Sequence, residues 1–407
     1  MRKIIPGIIG LGYVGLPIFT RLQNKFKTIG YDINEKRIST LNRGFDFNLE
    51  FSRKYLKKKN NSVYTNRIRY LRESNFYIVT VPTPILLNKK PNLKPLISAS
   101  KLLGKVVKKD DVIFFESTVY PGVTSNMILI IENNSNLKSG KDFWVGYSPE
   151  RVNPGDKTKT INKITKIVSF ENFPKQIKKR VLKVYKAITP KLAISNSLKE
   201  AETSKVIENI QRDINIAFMN EILMICERLK IDFHNVLKLA NTKWNFLDFK
   251  PGLVGGHCLP VDPYYLHDLA KRNNINAQLI LAGRNTNNQM EKFVIKKIYT
   301  KISQNKKDKK ISKILIAGIT FKRNVSDIRN SIPLSIYNKI KKDKNLDVYV
   351  ADPRISINRK IRLINFKKFK ANDYNLIVYL VNHDEIQKSL KKVKSKNKVL
   401  DIFNFLN

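Results

Sequence analysis

The hexapeptide GLGYVG at 10–15 constrains the fold of this chain more than any other feature. It follows the apolar run IIPGII at 4–9 and leads into a helical pattern, so Gly10, Gly12 and Gly15 lie where a strand turns into a helix. Glycines at this spacing let the backbone approach a pyrophosphate, whose charge then meets the helix N-terminus. The segment therefore predicts a Rossmann-like βαβ unit at the start of the chain.

The next apolar run, KTIGYD at 27–32, supplies the acidic residue that such a unit requires. Asp32 ends this run, about 20 residues beyond the glycines, where a carboxylate binds the ribose hydroxyls of NAD. The same charge repels the 2′-phosphate of NADP, so the expected cofactor is NAD. Pro6 has no amide to give to a central strand, and we expect it to mark the beginning of the first strand.

Strand patterns alternate with helical patterns in the first half of the chain and again toward its end, as in parallel sheets with crossover helices. The predicted strands lie at 4–9, 27–32, 75–81, 111–118, 143–148, 166–170, 313–320, 347–353, 374–381 and 398–403. Between the two groups, helices are predicted at about 197–230, 263–273 and 277–302. We therefore predict an α/β fold with two Rossmann-like, doubly wound parallel-sheet domains joined by a long-helix central domain.

The predicted domain boundaries follow the changes of pattern. Residues 1–196 would form the NAD-binding domain, 197–302 the helical central domain and 303–407 the second, smaller Rossmann-like domain. The long helix carries apolar residues at three- and four-residue steps, among them Ile210, Ala217 and Phe218. Such a face is a natural dimer surface, and we expect a homodimer through the central helix.

The charge and the cysteines limit the classes of protein. The formal charge is +44, which raises the alternative of a basic nucleic-acid-binding protein with salt-sensitive binding. Because the lysines are scattered through every segment, we favour a compositional bias and expect no nucleic-acid partner. Two cysteines cannot form a disulfide framework and suit a reducing compartment, so a cytoplasmic protein is expected. No apolar run reaches the length of a membrane span, and no membrane insertion is expected.

The stretch KPGLVGGHCLPVDPYY at 250–265 raises the question of what Cys258 does. No partner at a recognised ligand spacing accompanies it, so we expect no metal site. Cys226 lies on an apolar helical face and suits packing, whereas Cys258 lies among turn residues just before a helix start at Asp262. A thiol there can act as a nucleophile. With a nicotinamide site, a reactive cysteine permits aldehyde-level oxidation through a thiohemiacetal and a thioester.

Three polar residues of the long helix form a second candidate cluster. Glu202, Lys205 and Asn209 follow at steps of three and four and therefore share one face. In so lysine-rich a chain such a face can be simply solvated, and the spacing alone leaves this reading and a catalytic one open.

Eight sequence blocks occur in a fixed order between residues 8 and 331. They are GLGYVGLP, YDIN, VPTP, ESTVYPG, GYSPERVNPGD, ETSKVIENIQRDINIAFMNE, PGLVGGHCLPVDPYYL and GITFKRNVSDIRNS. Together they resemble the UDP-glucose/GDP-mannose dehydrogenases. The version KWNFLDFKPGLVGGHC is most similar to the branch that oxidises UDP-N-acetylhexosamines to uronic acids for O-antigen, capsule or Vi-type polysaccharide.

The resemblance implies a four-electron oxidation of the sugar 6-hydroxymethyl to a carboxylate, with two NAD reduced. It implies that Cys258 is the nucleophile and that Lys205, Asp262 and Asn209 stabilise the oxyanion and hold the water used as base. Glu150 and Thr118 match family positions that help hydrolyse the thioester and order water.

The resemblance also implies two sets of binding residues. The positions matched to cofactor binding are Gly10, Gly12, Tyr13, Val14, Gly15, Asp32, Arg37, Thr83, Thr118 and Arg329. Those matched to the nucleotide sugar are Glu150, Arg151, Lys205, Asn209, Phe246, Leu247, Lys250, Gly252, Gly255 and Lys322. UDP-GlcNAc and UDP-GalNAc are the expected substrates, but Asn92 and the mixed features of GGHCLP leave the sugar open.

Other enzymes remain as alternatives. A UDP-glucose, UDP-N-acetylmannosamine or GDP-mannose dehydrogenase would share every catalytic residue. A sugar-nucleotide epimerase or short-chain dehydrogenase would need a Tyr-x-x-x-Lys pair. Tyr55 with Lys59 and Tyr337 with Lys341 have that spacing, which a chain this rich in lysine contains by chance.

Overall fold

The computed structural model describes residues 2–48, 50–86, 88–152, 160–305, 312–355, 361–366, 369–393 and 396–406. The fold is α/β, as predicted. The chain divides into two compact units, Met1–Glu208 with Tyr264–Asn273, and Asn209–Pro263 with Asn274–Asn407. The division into three domains at 196/197 and 302/303 stays a prediction.

The elements follow one another in a βα rhythm that a helical stretch interrupts. The strands are β1 (Pro6–Ile9), β2 (Ile29–Tyr31), β3 (Val63–Thr65), β4 (Phe76–Val79), β5 (Val112–Phe115), β6 (Trp144–Tyr147), β7 (Lys166–Phe170), β8 (Leu192–Ser195), β9 (Ser312–Ala317), β10 (Leu346–Ala351), β11 (Leu376–Tyr379) and β12 (Val399–Leu400). The helices are α1 (Gly15–Leu22), α2 (Glu35–Asn42), α3 (Arg53–Leu56), α4 (Ile68–Leu71), α5 (Lys94–Gly104), α6 (Val123–Ser135), α7 (Lys175–Ile188), α8 (Leu198–Leu229), α9 (Phe233–Ala240), α10 (Asp262–Arg272), α11 (Gln278–Asn305), α12 (Ile332–Ile340) and α13 (Asp384–Lys391).

The first unit is built on a sheet in the order β3-β2-β1-β4-β5-β6-β7-β8. The strand order reverses direction between β1 and β4, which is the switch point where doubly wound sheets bind ligands. β1 begins at Pro6, as expected, so the residue without an amide hydrogen is the first residue of the strand. The carboxyl ends of β1, β4, β5 and β6 therefore lie side by side at one edge of this sheet.

The sheet of the first unit differs from the prediction in three places. β7 runs antiparallel to β6, and the described residues between them, 148–152 and 160–165, contain no crossover helix. β3 and β8 were not among the predicted strands. Both are short edge strands, and two of the four residues of β8 are exposed, so neither has a sustained apolar run to detect.

The main core of the first unit lies on one face of its sheet, beneath α1 and α7. Alternate strand residues such as Ile8, Ile78 and Phe114 meet Phe19 and Tyr185 there. Phe114 and Tyr185 pack edge to face, with ring centroids 5.0 Å apart. These aromatic contacts fix the strands whose ends carry the polar residues described below.

The second unit contains a parallel sheet in the order β10-β9-β11-β12. Successive residues of β9 point to opposite faces: Ile314 and Ile316 enter one core, and Leu315 and Ala317 enter another. The first of these cores also receives Met290 and Val294 of α11 and Phe233 of α9. α9 was not predicted, although Asp232 caps it by accepting hydrogen bonds from the amides of His234 and Asn235.

The long helix α8 begins in the first unit and continues into the second. Its apolar residues do not form one stripe, because Ile210, Ala217 and Cys226 are buried whereas Phe218 and Ile225 are exposed. Within the part of the chain that the structure describes, no helix has the length and apolar character needed to cross a membrane.

Candidate functional site

The glycine loop of the first unit has the geometry of a phosphate-binding turn. Gly10 has a φ of +94°, which side-chain-bearing residues avoid. A Cβ on Gly15 would lie 1.9 Å from the Gly10 carbonyl oxygen, whereas a Cβ on Gly12 would meet nothing within 4 Å. α1 then begins at Gly15 with Val14 as its N-cap, which makes no side-chain capping bond. The turn thus leaves open space above uncapped amides, which fits a pyrophosphate.

Asp32 follows β2 and reaches the same loop. Its Oδ2 accepts a hydrogen bond from the amide of Leu11 at 2.8 Å, and its Oδ1 accepts one from Asn34 at 2.9 Å. Arg37 donates from Nε to the Leu11 carbonyl at 2.8 Å and from Nη1 to Asp46 at 2.7 Å. The acidic residue and the glycine turn are therefore one assembly, and its residues fit the adenosine half of NAD.

Two more of the predicted cofactor residues lie at the ends of neighbouring strands. Thr83 follows β4 and donates its hydroxyl to the carbonyl of Thr118, which follows β5, at 2.7 Å. Tyr265 of α10 donates its hydroxyl to the carbonyl of Thr83, and it is fully buried. Tyr265 was not singled out from the sequence. It anchors the start of α10 on the loop that follows β4.

Glu150 follows β6, at the same edge of the sheet, and its carboxylate is held by three donors. Oε1 accepts hydrogen bonds from the amides of Arg151 and Val152 at 2.7 and 2.6 Å. Oε2 faces Nζ of Lys166 at 3.3 Å. Glu150 is 7% exposed, so this carboxylate is compensated from within the protein and its orientation is fixed.

Lys166 lies on β7 with no exposed surface, and it is shared between two carboxylates. Nζ donates to Glu116 at 2.6 Å as well as to Glu150, and its third neighbour is the Pro149 carbonyl at 3.4 Å. The hydroxyl of Tyr185 donates to the other oxygen of Glu116 at 3.0 Å. A buried chain of contacts therefore leads from Tyr185 through Glu116 and Lys166 to Glu150.

Burial and the neighbouring charges have opposite effects on the pKa values of Lys166 and Glu116. Burial by itself would lower the pKa of Lys166, but the two carboxylates outweigh it and hold the pKa above its ordinary value. Burial raises the pKa of Glu116, although the Lys166 ammonium opposes this rise. Lys166 is therefore a cation, and two buried carboxylates compete for it.

Other polar residues of the first unit are paired with protein groups. Arg151 forms an ion pair with Glu208, Nη2 to Oε1 at 2.6 Å, and also donates to the Thr165 carbonyl at 3.2 Å. Glu202 accepts the amides of Gly122 and Thr124 at 2.6 and 2.8 Å and so caps α6. Of the predicted trio on α8, Glu202 thus has a structural role. Lys205 also belongs to this unit.

Cys258 lies in the second unit, on the turn that leads to α10. Its carbonyl accepts hydrogen bonds from the amides of Val261 and Asp262, both at 2.9 Å. The Asp262 carboxylate in turn accepts a hydrogen bond from the Asn209 side chain. The side chain of Cys258 is exposed, whereas Cys226 is buried in the core. The structure therefore brings together Cys258, Asp262 and Asn209, three of the predicted catalytic residues.

The two glycines before this cysteine allow a close approach between segments of the protein itself. A Cβ on Gly255 would lie 2.6 Å from the Asn330 carbonyl oxygen, and one on Gly256 would lie 2.7 Å from the Phe321 ring. Gly256 also donates its amide to Asn330 and accepts from the Asn330 side chain, both at 3.2 Å. The cysteine turn is therefore bound to the segment that precedes α12.

That segment carries the predicted Arg329. Arg329 binds Asp327 through Nε and Nη2, at 3.0 and 2.6 Å, and His257 approaches the same carboxylate at 3.4 Å. Burial would raise the pKa of Asp327, but hydrogen bonds from His257 and Arg329 outweigh it and hold the pKa well below its ordinary value. Lys322 lies in the loop after β9, where its carbonyl accepts the hydroxyl of Thr320 at 2.9 Å.

The predicted sugar-nucleotide loop, 245–252, is fastened at its end by a buried asparagine. Asn220 of α8 accepts the amide of Gly252 at 2.8 Å and donates to its carbonyl at 3.0 Å. Its amide also donates to Asn287 of α11 at 2.8 Å. Earlier in the loop, Phe246 packs against the core, Leu247 is exposed and Lys250 pairs with Asp248 at 2.5 Å.

Some of these residues carried no recognisable signal in the sequence. Glu116 and Lys166 are 50 residues apart, and Asn220 and Gly252 are 32 apart. Lys166 and Asn220 are ordinary polar residues until the fold pairs them with Glu116 and Gly252. Within the described residues, no group of three His, Cys, Asp or Glu side chains is arranged to hold a metal ion.

Family models match almost the whole chain in three consecutive parts. The NAD binding domain of the UDP-glucose/GDP-mannose dehydrogenase family matches residues 4–189, the central domain 199–289 and the UDP binding domain 315–407. These matches agree with the order of the blocks found in the sequence.

Individual proteins show the same relationship. Protein CapL of Staphylococcus aureus is 41% identical over 98% of this chain and 96% of its own length. The UDP-N-acetyl-D-glucosamine 6-dehydrogenase of Salmonella typhi is 40% identical over 93% of this chain and 90% of its own. The solved UDP-D-ManNAc dehydrogenase of Pyrococcus horikoshii superposes with a TM-score of 0.84 at 27% identity, covering 97% of this chain and 93% of its own. This chain therefore belongs to the UDP-glucose/GDP-mannose dehydrogenase family and is an NAD-dependent oxidoreductase of nucleotide sugars.

Proposed function

We propose that the protein oxidises the 6-hydroxymethyl of a UDP-N-acetylhexosamine, UDP-GlcNAc or UDP-GalNAc, to the UDP-uronic acid. The observation that carries the proposal is the turn at Cys258. This residue is exposed, its carbonyl accepts the amide of Asp262, and the Asp262 carboxylate accepts a hydrogen bond from the Asn209 side chain. The Salmonella typhi protein that is named a UDP-N-acetyl-D-glucosamine 6-dehydrogenase supports the choice of sugar at 40% identity. The product would serve as a donor for surface polysaccharide.

The cofactor would be held by the glycine turn and Asp32, with Tyr13, Val14, Thr83 and Arg329 as further proposed contacts. NAD⁺ is the hydride acceptor, and two equivalents of NAD⁺ are needed because the oxidation of an alcohol to a carboxylate releases four electrons. The overall balance is one alcohol, one water and two NAD⁺ giving one carboxylate, two NADH and three protons. The protein must then provide a nucleophile for the aldehyde stage and a site for the water.

Cys258 is the proposed nucleophile. Its sulfur forms a bond to the carbonyl carbon of the C6 aldehyde, and the thiol proton goes to the water held by Asp262. Loss of hydride from that carbon leaves a thioester, and attack by water breaks the carbon–sulfur bond and returns the thiol. Lys205 and Asn209 are proposed to stabilise the oxyanion. Glu150 and Thr118 are proposed to order the hydrolytic water.

The test compares the wild type with Cys258→Ser on UDP-GlcNAc, UDP-GalNAc, UDP-ManNAc, UDP-glucose and GDP-mannose. We expect wild-type NADH release to be highest with one of the first two, and uronate formation by Cys258→Ser to fall by at least about 10³-fold. NAD binding by the variant should be unchanged. Cys226→Ser, which alters a buried cysteine of the core, is the matched control. Normal uronate production by Cys258→Ser would defeat the mechanism, and a preference for another sugar would defeat the choice of substrate.

We also propose that the protein is a homodimer through α8. Phe218, Ile225 and Leu229 are 53%, 45% and 61% exposed on this helix. Glu221 and Arg228 lie seven residues apart on the same face, with Ile225 between them. A second copy of α8 packed antiparallel about a two-fold axis near Ile225 places Glu221 of each copy opposite Arg228 of the other. The exposed apolar area and this self-complementary charge support a second copy of the chain as the occupant.

A further inference from the structure

We propose that Lys166 is a positioning residue for the acyl-enzyme hydrolysis step, acting by fixing the carboxylate of Glu150 and compensating its charge. The proposal rests on the proposed function, in which Glu150 orders the hydrolytic water. Lys166 lies on β7, outside every sequence block of the family resemblance, and its Nζ is 3.3 Å from Oε2 of Glu150.

The first argument is the free-energy cost of burying the Lys166 ammonium inside the protein. Its side chain and that of Glu116 are both 0% exposed, and a buried ion pair of this kind is seldom more stabilising than apolar residues of the same volume. Here the lysine also serves a second carboxylate, that of Glu150, which is 7% exposed. If Lys166 served only the stability of the fold, its ion pair with Glu116 would be sufficient. Fold stability therefore gives no reason for the contact with Glu150.

The second argument is geometric. Two adjacent backbone amides fix one oxygen of Glu150, but both belong to the same short loop after β6. Lys166 provides the contact to a different strand and therefore ties the carboxylate to the sheet. Among the described residues, Lys166 is the cation within ion-pair distance of Glu150. Without it, the Glu150 carboxylate can turn with its loop and no longer holds a water in one place.

The third argument concerns Glu116, which competes for the same ammonium. Glu116 is closer to Nζ, at 2.6 Å, and Tyr185 fixes its other oxygen at 3.0 Å. The contact with Glu116 thereby fixes the position of the Lys166 ammonium relative to the Glu150 carboxylate. Ser148 also lies beside Tyr185, and the Ser148 hydroxyl donates to the Ile167 carbonyl at 2.6 Å.

The experiment uses three variants of the full chain with UDP-GlcNAc and NAD. Glu150→Gln is the reference for impaired hydrolysis. Lys166→Met removes the ammonium but leaves the Glu116 carboxylate without a cation, which could destabilise the fold. Lys166→Met with Glu116→Gln avoids this problem, because it removes the ammonium together with the carboxylate that lies nearest to it. The amide that replaces the Glu116 carboxylate also retains an acceptor for Tyr185. Asp111→Asn, a buried carboxyl of the same unit that contacts none of the proposed site residues, is the matched control.

Each protein is mixed rapidly with substrate, NADH is followed through the first turnover, and quenched samples are weighed by mass spectrometry. We expect the double variant to release about two NADH per subunit in a burst, then to turn over at least tenfold more slowly than the wild type. A uronyl adduct should accumulate on Cys258, as in Glu150→Gln. Asp111→Asn should show no adduct and a turnover within about twofold of the wild type.

The outcomes separate the two proposals. If Glu150→Gln accumulates the adduct and the folded double variant turns over like the wild type without one, Lys166 serves only to neutralise Glu116 and the inference about Lys166 is wrong. If Glu150→Gln forms no adduct while Cys258→Ser still makes uronate, the proposed chemistry fails and the inference fails with it. If Lys166 had a purely structural role, its replacement would lower the amount of active enzyme. The oxidation and hydrolysis steps would then slow equally, and no adduct would accumulate.

Discussion

A single buried amide determines where the predicted sugar-nucleotide loop ends. Asn220 is 0% exposed and satisfies both the amide and the carbonyl of Gly252. Behind it, Asn287 donates to Asp213 at 2.8 Å, and Asp213 pairs with the buried Arg284. These side chains hydrogen-bond one to the next, so removal of one leaves further buried polar groups without partners.

We expect Asn220→Ala to weaken nucleotide-sugar binding more than catalysis. The loss of both hydrogen bonds to Gly252 should raise the KM for the nucleotide sugar by about tenfold, corresponding to about 1.4 kcal/mol, while the KM for NAD stays within about twofold. Steady-state kinetics with each substrate varied in turn measures this difference. Asn215→Ala on the same helix, whose side chain makes a solvent-exposed hydrogen bond to the Gln211 carbonyl one turn away, is the control. An equal loss in both KM values would contradict the role assigned to Asn220.

The residues of the site differ in how far the sequence could reveal them. Gly10, Gly15 and Asp32 were predictable because a strand, a turn and an acid at fixed spacing require one geometry. The exposed turn position of Cys258 was predictable because the residue stands among turn residues rather than on an apolar face. The contacts of Lys166 and Asn220 were not, because only the tertiary fold brings their partners near. The roles of the proposed catalytic residues stay predictions.

At the scale of elements, length and burial decided which patterns could be recognised. β7 was predicted with the bounds Lys166–Phe170, because a run of mostly buried residues is bordered by polar segments. β8 escaped because Ala193 and Ile194 are exposed at the sheet edge, so burial imposes no apolar pattern on it. The helical periodicity of α8 was recognised, but the sequence could not show that its apolar residues lie on two sides of the helix.

The exposed side of α8 gives a prediction about assembly. If a second copy covers Ile225, Ile225→Glu places two like charges in the centre of the interface and should weaken the dimer at least about 30-fold, corresponding to about 2 kcal/mol. Sedimentation equilibrium over a range of protein concentrations measures the dissociation constant. Leu129→Glu on α6, which alters a 58% exposed leucine of the first unit, should leave it unchanged. Identical sedimentation of Ile225→Glu and wild type would exclude this face of α8 as the interface.

At the scale of the whole molecule, the chain combines a formal charge of +44 with several carboxyls that burial makes harder to ionise. Burial raises the pKa of Asp111, Glu202, Asp213 and Asp401 above their ordinary values. As the pH rises from acid values, ionisation of exposed carboxyls reduces the net positive charge and its self-repulsion, which favours the folded state. The buried carboxyls act in the opposite direction, because their charged forms are more costly in the fold than in the unfolded chain.

Asp111 allows this opposition to be measured. Burial raises its pKa from 3.8 to about 6, although Lys108, Arg2 and Arg180 oppose the rise. A group with a raised pKa in the fold contributes stability that is fully present below its unfolded pKa and is lost as the pH rises through the folded value. The free energy of unfolding of the wild type, minus that of Asp111→Asn, should therefore fall by about 2–3 kcal/mol between pH 4 and pH 7.

Urea unfolding at several pH values, followed by the fluorescence of Trp144 in a Trp244→Phe background, reports this difference for the first unit. Trp144 is buried beside Asp111, whose carbonyl accepts the Trp144 amide at 3.0 Å. Asp110→Asn, which alters the adjacent exposed carboxyl, is the control variant. A constant difference for Asp111→Asn would mean that Arg2, Lys108 and Arg180 compensate its charge fully, and that the buried carboxyls of this basic chain do not limit its stability near neutral pH.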